Sequence, residues 1–275
     1  MKYDKNELIE NSKKIMNDSN DKLTLRALFY KLVGINILEN KKTDYQILSR
    51  VINNARWEHI LNFDCIEDRI RTKIFPSFFD DVEDLIRVAV ESYNIDIWKD
   101  QPNYIELLVE KDTLVSLFEN IVYEYKINLS VTKGYNSLTE IYLLYKRLEE
   151  KKDLNKDVYI LYVGDLDPSG LDMDRDIRAR LKALGLLPFF ERIALNIEDV
   201  KKYKLLPNRI KKKDPRSNNY KYNDCWEIDA LDTSILKKKL VSKIELLIDH
   251  KKWNKSLEKQ KNNKNDLERK LKYMK

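Results

Sequence analysis

The chain of 275 residues is 43% hydrophobic with a net charge of +6, enough apolar material for one or two buried cores. Two cysteines (Cys65, Cys225) and two histidines (His59, His250) offer no metal-ligand spacing, which argues against zinc chemistry and a Ser-His triad. The absence of an 18-residue apolar run or a cleavable signal predicts a soluble, cytoplasmic protein, nucleoid-associated if prokaryotic, with no membrane partner.

In chain order, the first informative segment is TLRALFYKLV at 24–33. Leu25, Leu28, Phe29, Leu32 and Val33 form one apolar helical stripe, and Arg26 and Tyr30, spaced i and i+4, share its flank. A guanidinium beside a phenol can hold a phosphate and stabilise the charge that develops as the phenol oxygen attacks phosphorus. A tyrosine packed at a helix edge beside a solvated arginine gives the same pattern. The turn-rich GINILENKKTD leads into a second amphipathic helix, YQILSRVINNARWEHI, which buries Ile47, Leu48, Val51, Ile52 and Ala55. Its other face presents Gln46, Ser49, Arg50, Asn53 and Arg56, with Trp57 at the edge, a composition suited to docking in a DNA groove. FDCIEDRIR at 63–71 is a candidate strand, and the segment to residue 103, bracketed by Pro76 and Pro102, predicts a helix plus linker.

The next elements alternate. YIELLVE at 104–110 is a short apolar run ending in Glu110, followed by helix-like KDTLVSLFENIVYEYK; INLSVTKGY is strand-like and closes at Gly134; SLTEIYLLYKRLEEKK is spaced as a helix. VYILYVG then ends abruptly in Asp165-Leu166-Asp167-Pro168-Ser169-Gly170, so two carboxylates project from a strand end just before a helix. Alternating strands and helices predict a parallel sheet, which would bring Glu110 to the same carboxyl edge as Asp165 and Asp167. Like charges this close call for a proton or a hard cation, Mg²⁺ above all, with Mn²⁺ as a substitute. An EF-hand reading of Asp165, Asp167, Ser169, Gly170 and Asp176 fits poorly, because a strand precedes the loop, Pro168 intrudes and Asp172 replaces an apolar residue. Beyond the strand-like ERIALN, the basic run LPNRIKKKDPRSNNYKYND places Lys211, Lys212 and Lys213 near the acidic edge as DNA-contact candidates. CWEIDALDTSILKKKL carries Glu227 and Asp229, which either extend the metal site or cap and orient neighbours; with Lys111 and Gly134 they are the candidates for a supporting set around the acids. Residues 251–275 hold ten Lys/Arg against three Asp/Glu, a charge of +7, so the other 250 residues sum to −1. The tail is expected to be a solvated helix with access to phosphate backbones.

Glu at one strand end, a glycine turn after the second strand and D-x-D-P-x-G after the third resemble the Toprim domain of topoisomerases, primases and related nucleases. GDLDPSG is most similar to the A subunit of type IIB topoisomerases (topoisomerase VI) and its meiotic double-strand-break relative. Arg26 and Tyr30 match that family's R-x-x-x-Y nucleophile motif. The resemblance covers about residues 20–235, and in its compactness is similar to the stand-alone Mini-A forms.

The resemblance implies an α/β fold with an N-terminal winged-helix, CAP-like domain carrying the tyrosine (1–72), a helical linker (73–103), a Toprim domain with a mainly parallel four-stranded sheet flanked by helices (104–235) and a charged C-terminal helix (236–275). It implies that Tyr30, assisted by Arg26, attacks a phosphate of double-stranded DNA to form a 5′-phosphotyrosyl link, with Mg²⁺ held by Glu110, Asp165 and Asp167. It also implies a homodimer in which the tyrosine of one subunit works against the metal site of the other. The sequence contains no ATP-binding motif, so strand passage would need a separate ATPase subunit. A Toprim nuclease that hydrolyses DNA without a covalent intermediate, as in plasmid defence, and a non-catalytic DNA-binding partner are the alternatives.

Overall fold

Three helices open the chain, α1 (Lys5–Asn17), α2 (Leu25–Gly34) and α3 (Lys42–Trp57), in a computed structural model that describes residues 3–19, 22–66, 78–132, 137–209 and 220–272. α1 and α2 begin on polar caps: Asp4 accepts from the Asn6 N–H, and Thr24 from the Ala27 N–H at 3.2 Å. Leu8 and Ile9, then Leu28 and Leu32, then Leu48, Val51, Ile52 and Ala55 pack together as one core, the i, i+3, i+4 stripes expected of amphipathic helices. Leu23 and Ile66 form an isolated parallel bridge. The rest of the candidate strand at 63–71 lies outside the described residues, apart from a 3₁₀ turn at Phe63–Cys65.

Helix α4 (Val82–Glu91) and a 3₁₀ turn at Ile97–Asp100 lead to strand β1 (Asn103–Val109). The chain continues as α5 (Thr113–Tyr125), β2 (Asn128–Val131), α6 (Leu138–Asp153), β3 (Asp157–Val163), α7 (Pro168–Ala183) and β4 (Phe189–Ala194). The four strands form one sheet in the order β2-β1-β3-β4, every neighbouring pair parallel. Parallel strands need crossover helices, and successive side chains point to opposite faces. Leu107, Val109, Leu161 and Val163 meet Leu114, Leu117 and Phe118 on one face, whereas Leu108, Ile160 and Tyr162 meet Ile141, Leu144, Ile177 and Leu181 on the other. The protein is therefore α/β with a four-stranded parallel sheet flanked by helices.

After β4 come α8 (Ile197–Tyr203), the short antiparallel pair β5 (Asn208–Arg209) and β6 (Asp224–Cys225), α9 (Thr233–Leu247) and α10 (His250–Lys272). Leu236, Leu240 and Ile244 of α9 join the α5 side of the core. The lysine-rich α10 is anchored along its first half: Trp253 is buried with its ring centre 5.4 Å from that of Trp98 in an edge-on arrangement, and Gln260 accepts the Ile95 N–H at 3.1 Å. No helix among the described residues is long and apolar enough to cross a membrane.

Candidate functional site at the carboxyl edge of the sheet

β1 and β3 run in register, Val109 opposite Val163, so the residues that follow them leave the sheet together. Glu110 extends the ladder by donating its N–H to Val163 O at 2.9 Å. The Asp165 N–H in turn donates to Glu110 Oε2 at 2.7 Å. This approach requires glycines. A methyl on Gly164 would stand 2.5 Å from Glu110 Oε2 and 2.8 Å from the Tyr162 ring; one on Gly170 would stand 2.4 Å from the Asp165 carbonyl oxygen and 3.0 Å from Glu110 Oε2. Asp167 caps α7, accepting the Gly170 N–H at 2.6 Å, with Pro168 in the first turn where its missing N–H is harmless.

Arg192 of β4, which the sequence motifs do not include, clasps this loop from below. Its guanidinium donates to Gly164 O at 3.2 Å, Asp165 O at 3.0 Å and Gly170 O at 2.8 Å, lies 3.4 Å from Asp174 Oδ2 and stacks 4.8 Å from the Tyr162 ring centre. Arginine's planar fork can serve several acceptors at once.

The supporting acids arrive through a backbone bridge. Leu166 and Trp226 exchange two hydrogen bonds of 2.9 Å, and the Ile228 N–H donates to Asp165 Oδ1 at 2.8 Å. Glu227 and Asp229 flank Ile228 in the sequence. The Lys111 ammonium lies 2.8 Å from Asp165, 3.0 Å from Asp229 and 3.8 Å from Glu227. Arg26 completes the network from α2: its guanidinium pairs with Glu227 and lies 3.8 Å from Asp229. One turn further along α2, Lys31 pairs with Asp232 at 2.9 Å. Tyr30 is 9% exposed, and Asn208 Nδ2 donates to its hydroxyl at 3.2 Å. The sequence-predicted residues Arg26, Lys111, Glu110, Asp165, Glu227 and Asp229 are thus joined within a single chain, with Tyr30 beside Arg26 and Asp167 two residues on from Asp165 at the cap of α7. Arg50 and Asn53 stand outside this network, exposed on α3. Arg56 turns toward the 3₁₀ turn that follows α3, donating to Phe63 O at 2.6 Å. Gly134 and Lys211, Lys212 and Lys213 lie outside the described residues.

Burial, then the charge of Asp165, pushes the Glu110 carboxyl up to about 8. Burial also raises Asp165, against the opposing pull of Lys111 and the Ile228 N–H. Burial works against the Lys111 ammonium, but Asp165, Asp229 and Glu227 outweigh it and hold its pKa above the ordinary lysine range. The Tyr30 phenol is raised by burial and by Glu227, with Asn208 and Arg26 pulling the other way.

Among the described residues, no three acidic, histidine or cysteine side chains form a ready metal cage. The donor chemistry nevertheless suits a hard divalent ion. Glu110 and Asp165 offer oxygen donors held close by the Asp165 N–H, the Glu110 carboxyl being raised first by burial and then by the charge of Asp165, and Asp167 has a second carboxylate oxygen beyond the one that caps α7. The chain matches none of the family models, curated proteins or solved structures with which it was compared.

Proposed function

We propose that the chain is a Mg²⁺-dependent DNA strand-breaking protein resembling the topoisomerase VI A subunit, with Tyr30 as nucleophile. One observation carries this reading: the helix bearing Arg26 and Tyr30 is tied through Arg26 to Glu227 and Asp229, and Lys111 links those acids to Asp165 at the sheet edge. Tyr30 Oη would bond to a backbone phosphorus while the bond to the 3′ oxygen breaks. The phenol loses a proton and the departing oxygen gains one, leaving a 5′-phosphotyrosyl link and a free 3′ hydroxyl. Glu110, Asp165 and Asp167 would hold Mg²⁺ or Mn²⁺, which when bound supplies positive charge to stabilise the leaving oxygen. Arg26 would swing from Glu227 to the phosphate, and Lys111 keeps the crowded acids neutralised meanwhile.

In this reading residues 1–72 act as a winged-helix DNA-binding domain, 73–103 as linker and 104–235 as a Toprim domain. Arg50, Asn53 and Arg56 on α3 and Lys211 to Lys213 would meet double-stranded DNA. Cutting both strands takes two tyrosines related by the two-fold symmetry of the duplex backbone, hence a homodimer. In the structure Arg26 is bonded to acids of its own chain, so a site shared between subunits would require that pairing to open. Strand passage would fall to a separate ATPase subunit.

A second reading, hydrolysis by the same acids with Tyr30 structural, is favoured by the burial of Tyr30 and its raised phenol pKa. End-labelled DNA resolved on denaturing gels with and without protease separates the two. Transesterification leaves fragments bound to protein until proteolysis, whereas hydrolysis leaves free termini from the outset.

A further inference from the structure

Besides Arg26, the Tyr30 hydroxyl has a hydrogen-bond donor that belongs to neither the tyrosine motif nor the acid cluster. Asn208, at the start of β5, reaches Tyr30 Oη with Nδ2 at 3.2 Å across 178 positions of sequence. The direction of its amide is set from the other side, where Asn40, in the connector between α2 and α3, donates to Asn208 Oδ1 and reaches Pro207 O at 3.4 Å. With that oxygen engaged, the amide turns N–H toward the phenol. Its backbone is pinned as well: Asn208 pairs with Cys225 in the β5-β6 ladder, and its carbonyl accepts from Cys225 Sγ at 3.4 Å.

A neutral phenol is a weak nucleophile and must lose its proton as it attacks. The groups facing Tyr30 divide by sign. Glu227 and burial oppose a phenolate, while Arg26 and Asn208 favour it. Arg26 divides its guanidinium between the phenol and the acids Glu227 and Asp229, while Lys31 is paired with Asp232 and Cys225 with the Asn208 carbonyl. The Asn208 amide is already aimed at the oxygen that reacts, and an N–H donor strengthens as its acceptor becomes an anion.

We infer that Asn208 is a further catalytic residue of the proposed transesterification, orienting the Tyr30 oxygen and stabilising it as its proton leaves, with Asn40 as the positioning residue that fixes the amide. In the step, the Tyr30 O–H bond breaks, the O–P bond forms, the bond from phosphorus to the 3′ oxygen breaks, and that oxygen takes up a proton. Asn208 keeps its own protons throughout. The inference rests on Tyr30 being the nucleophile, so its test reads the hydrogen bond and the chemistry separately.

Protein labelled with 3-fluorotyrosine gives a Tyr30 resonance in ¹⁹F spectra, identified by its loss in Tyr30→Phe, and a pH titration follows its phenol. Tyr30 is expected to titrate at higher pH in Asn208→Leu. It should titrate higher still in Asn208→Asp, which keeps the shape, and so the fold, while placing a carboxylate where the donor was. Asn40→Ala should move it in the same direction by less. In parallel, detergent-trapped adduct on labelled DNA with Mg²⁺ should form about ten- to a hundredfold more slowly in Asn208→Leu, with its pH profile displaced to match and DNA retention unchanged. A Tyr30 titration unmoved in both Asn208 variants overturns the inference, as does a moved titration with adduct forming at the wild-type rate. If the titration moves but wild type forms no adduct, the nucleophile reading fails. The catalytic role of Asn208 falls with it, and the hydrogen bond alone stands.

Discussion

Arg192→Met keeps most of the aliphatic length of the side chain and removes the guanidinium that holds Gly164, Asp165 and Gly170 by their carbonyls. With the Arg192 side chain only 7% exposed, water cannot replace those bonds without opening the loop. Deleting one partner of a buried charged contact costs about 3–5 kcal/mol. Two acceptors are partly protected, because Gly164 O also receives the Leu195 N–H at 2.8 Å and Asp174 keeps Arg178. The lower figure, about 3 kcal/mol, is therefore expected, and at about 2–4 °C per kcal/mol for a chain of this size it lowers the melting temperature by roughly 6–12 °C. Calorimetry measures the shift, and amide exchange locates it: the amides of residues 164–170 should exchange faster by a larger factor than those of β1. A melting temperature within about 2 °C of wild type, or a loss spread evenly over the sheet, would refute the clasp.

Three further outcomes follow from the same geometry. Glu110 has its carboxyl raised from 4.5 to about 8, so between those values the folded state holds a proton that the unfolded state has released. Without divalent ions, stability should therefore fall as pH rises through that window, and Glu110→Gln should flatten the curve, gaining on the order of 3 kcal/mol at pH 7; parallel melting curves for the two proteins would contradict this. Lys111→Met removes the ammonium lying 2.8 Å from Asp165 and 3.0 Å from Asp229, so at pH 8 the variant should melt lower than wild type without Mg²⁺ and gain more from added Mg²⁺. Equal gains would show that the ion does not take over the neutralising role of Lys111. Tyr162 is fully buried, and its hydroxyl makes at most a weak bond, to the Thr132 side chain, so Tyr162→Phe should change unfolding free energy by no more than about 1 kcal/mol; a loss of several kcal/mol would mean that the hydroxyl carries a strong, charge-assisted contact.

Local pattern made much of this legible. The apolar runs at 104–110 and 158–164 announce strands by composition, and the acid or glycine that ends each announces its edge, so the parallel sheet and the proximity of Glu110 to Asp165 follow from period and order. Asp-x-Asp-Pro likewise foretells a strand that stops and a helix that starts. Arg26 and Tyr30 share a helix flank because spacing alone dictates it. What the sequence does not disclose is who faces whom across the fold. Arg26 meets Glu227 across 201 positions and Asn208 meets Tyr30 across 178, and no local periodicity encodes such pairs. Arg192 sits in a strand whose alternation marks it merely as one more charged residue. Glu106, fully buried in β1, is held by the Tyr104 hydroxyl and the Arg147 guanidinium at 3.0 Å each, a partnership that an apolar run conceals. The lysine-rich tail reads as a solvated helix because charge dominates its composition, whereas one residue, Trp253, seats its first turn on Trp98.

Tyr30 acting as nucleophile means a covalent bond between protein and DNA at a site completed by the acids of the sheet edge. Its most direct measurement is detergent trapping of the full chain on 5′-labelled and 3′-labelled duplex with Mg²⁺, alongside Tyr30→Phe and an EDTA control. Label should stay with wild-type protein on the 5′-phosphate side of the break, and Tyr30→Phe and EDTA should each abolish the adduct while Tyr30→Phe still binds duplex. Broken DNA with no label on the protein, or an adduct that persists in Tyr30→Phe, would contradict it.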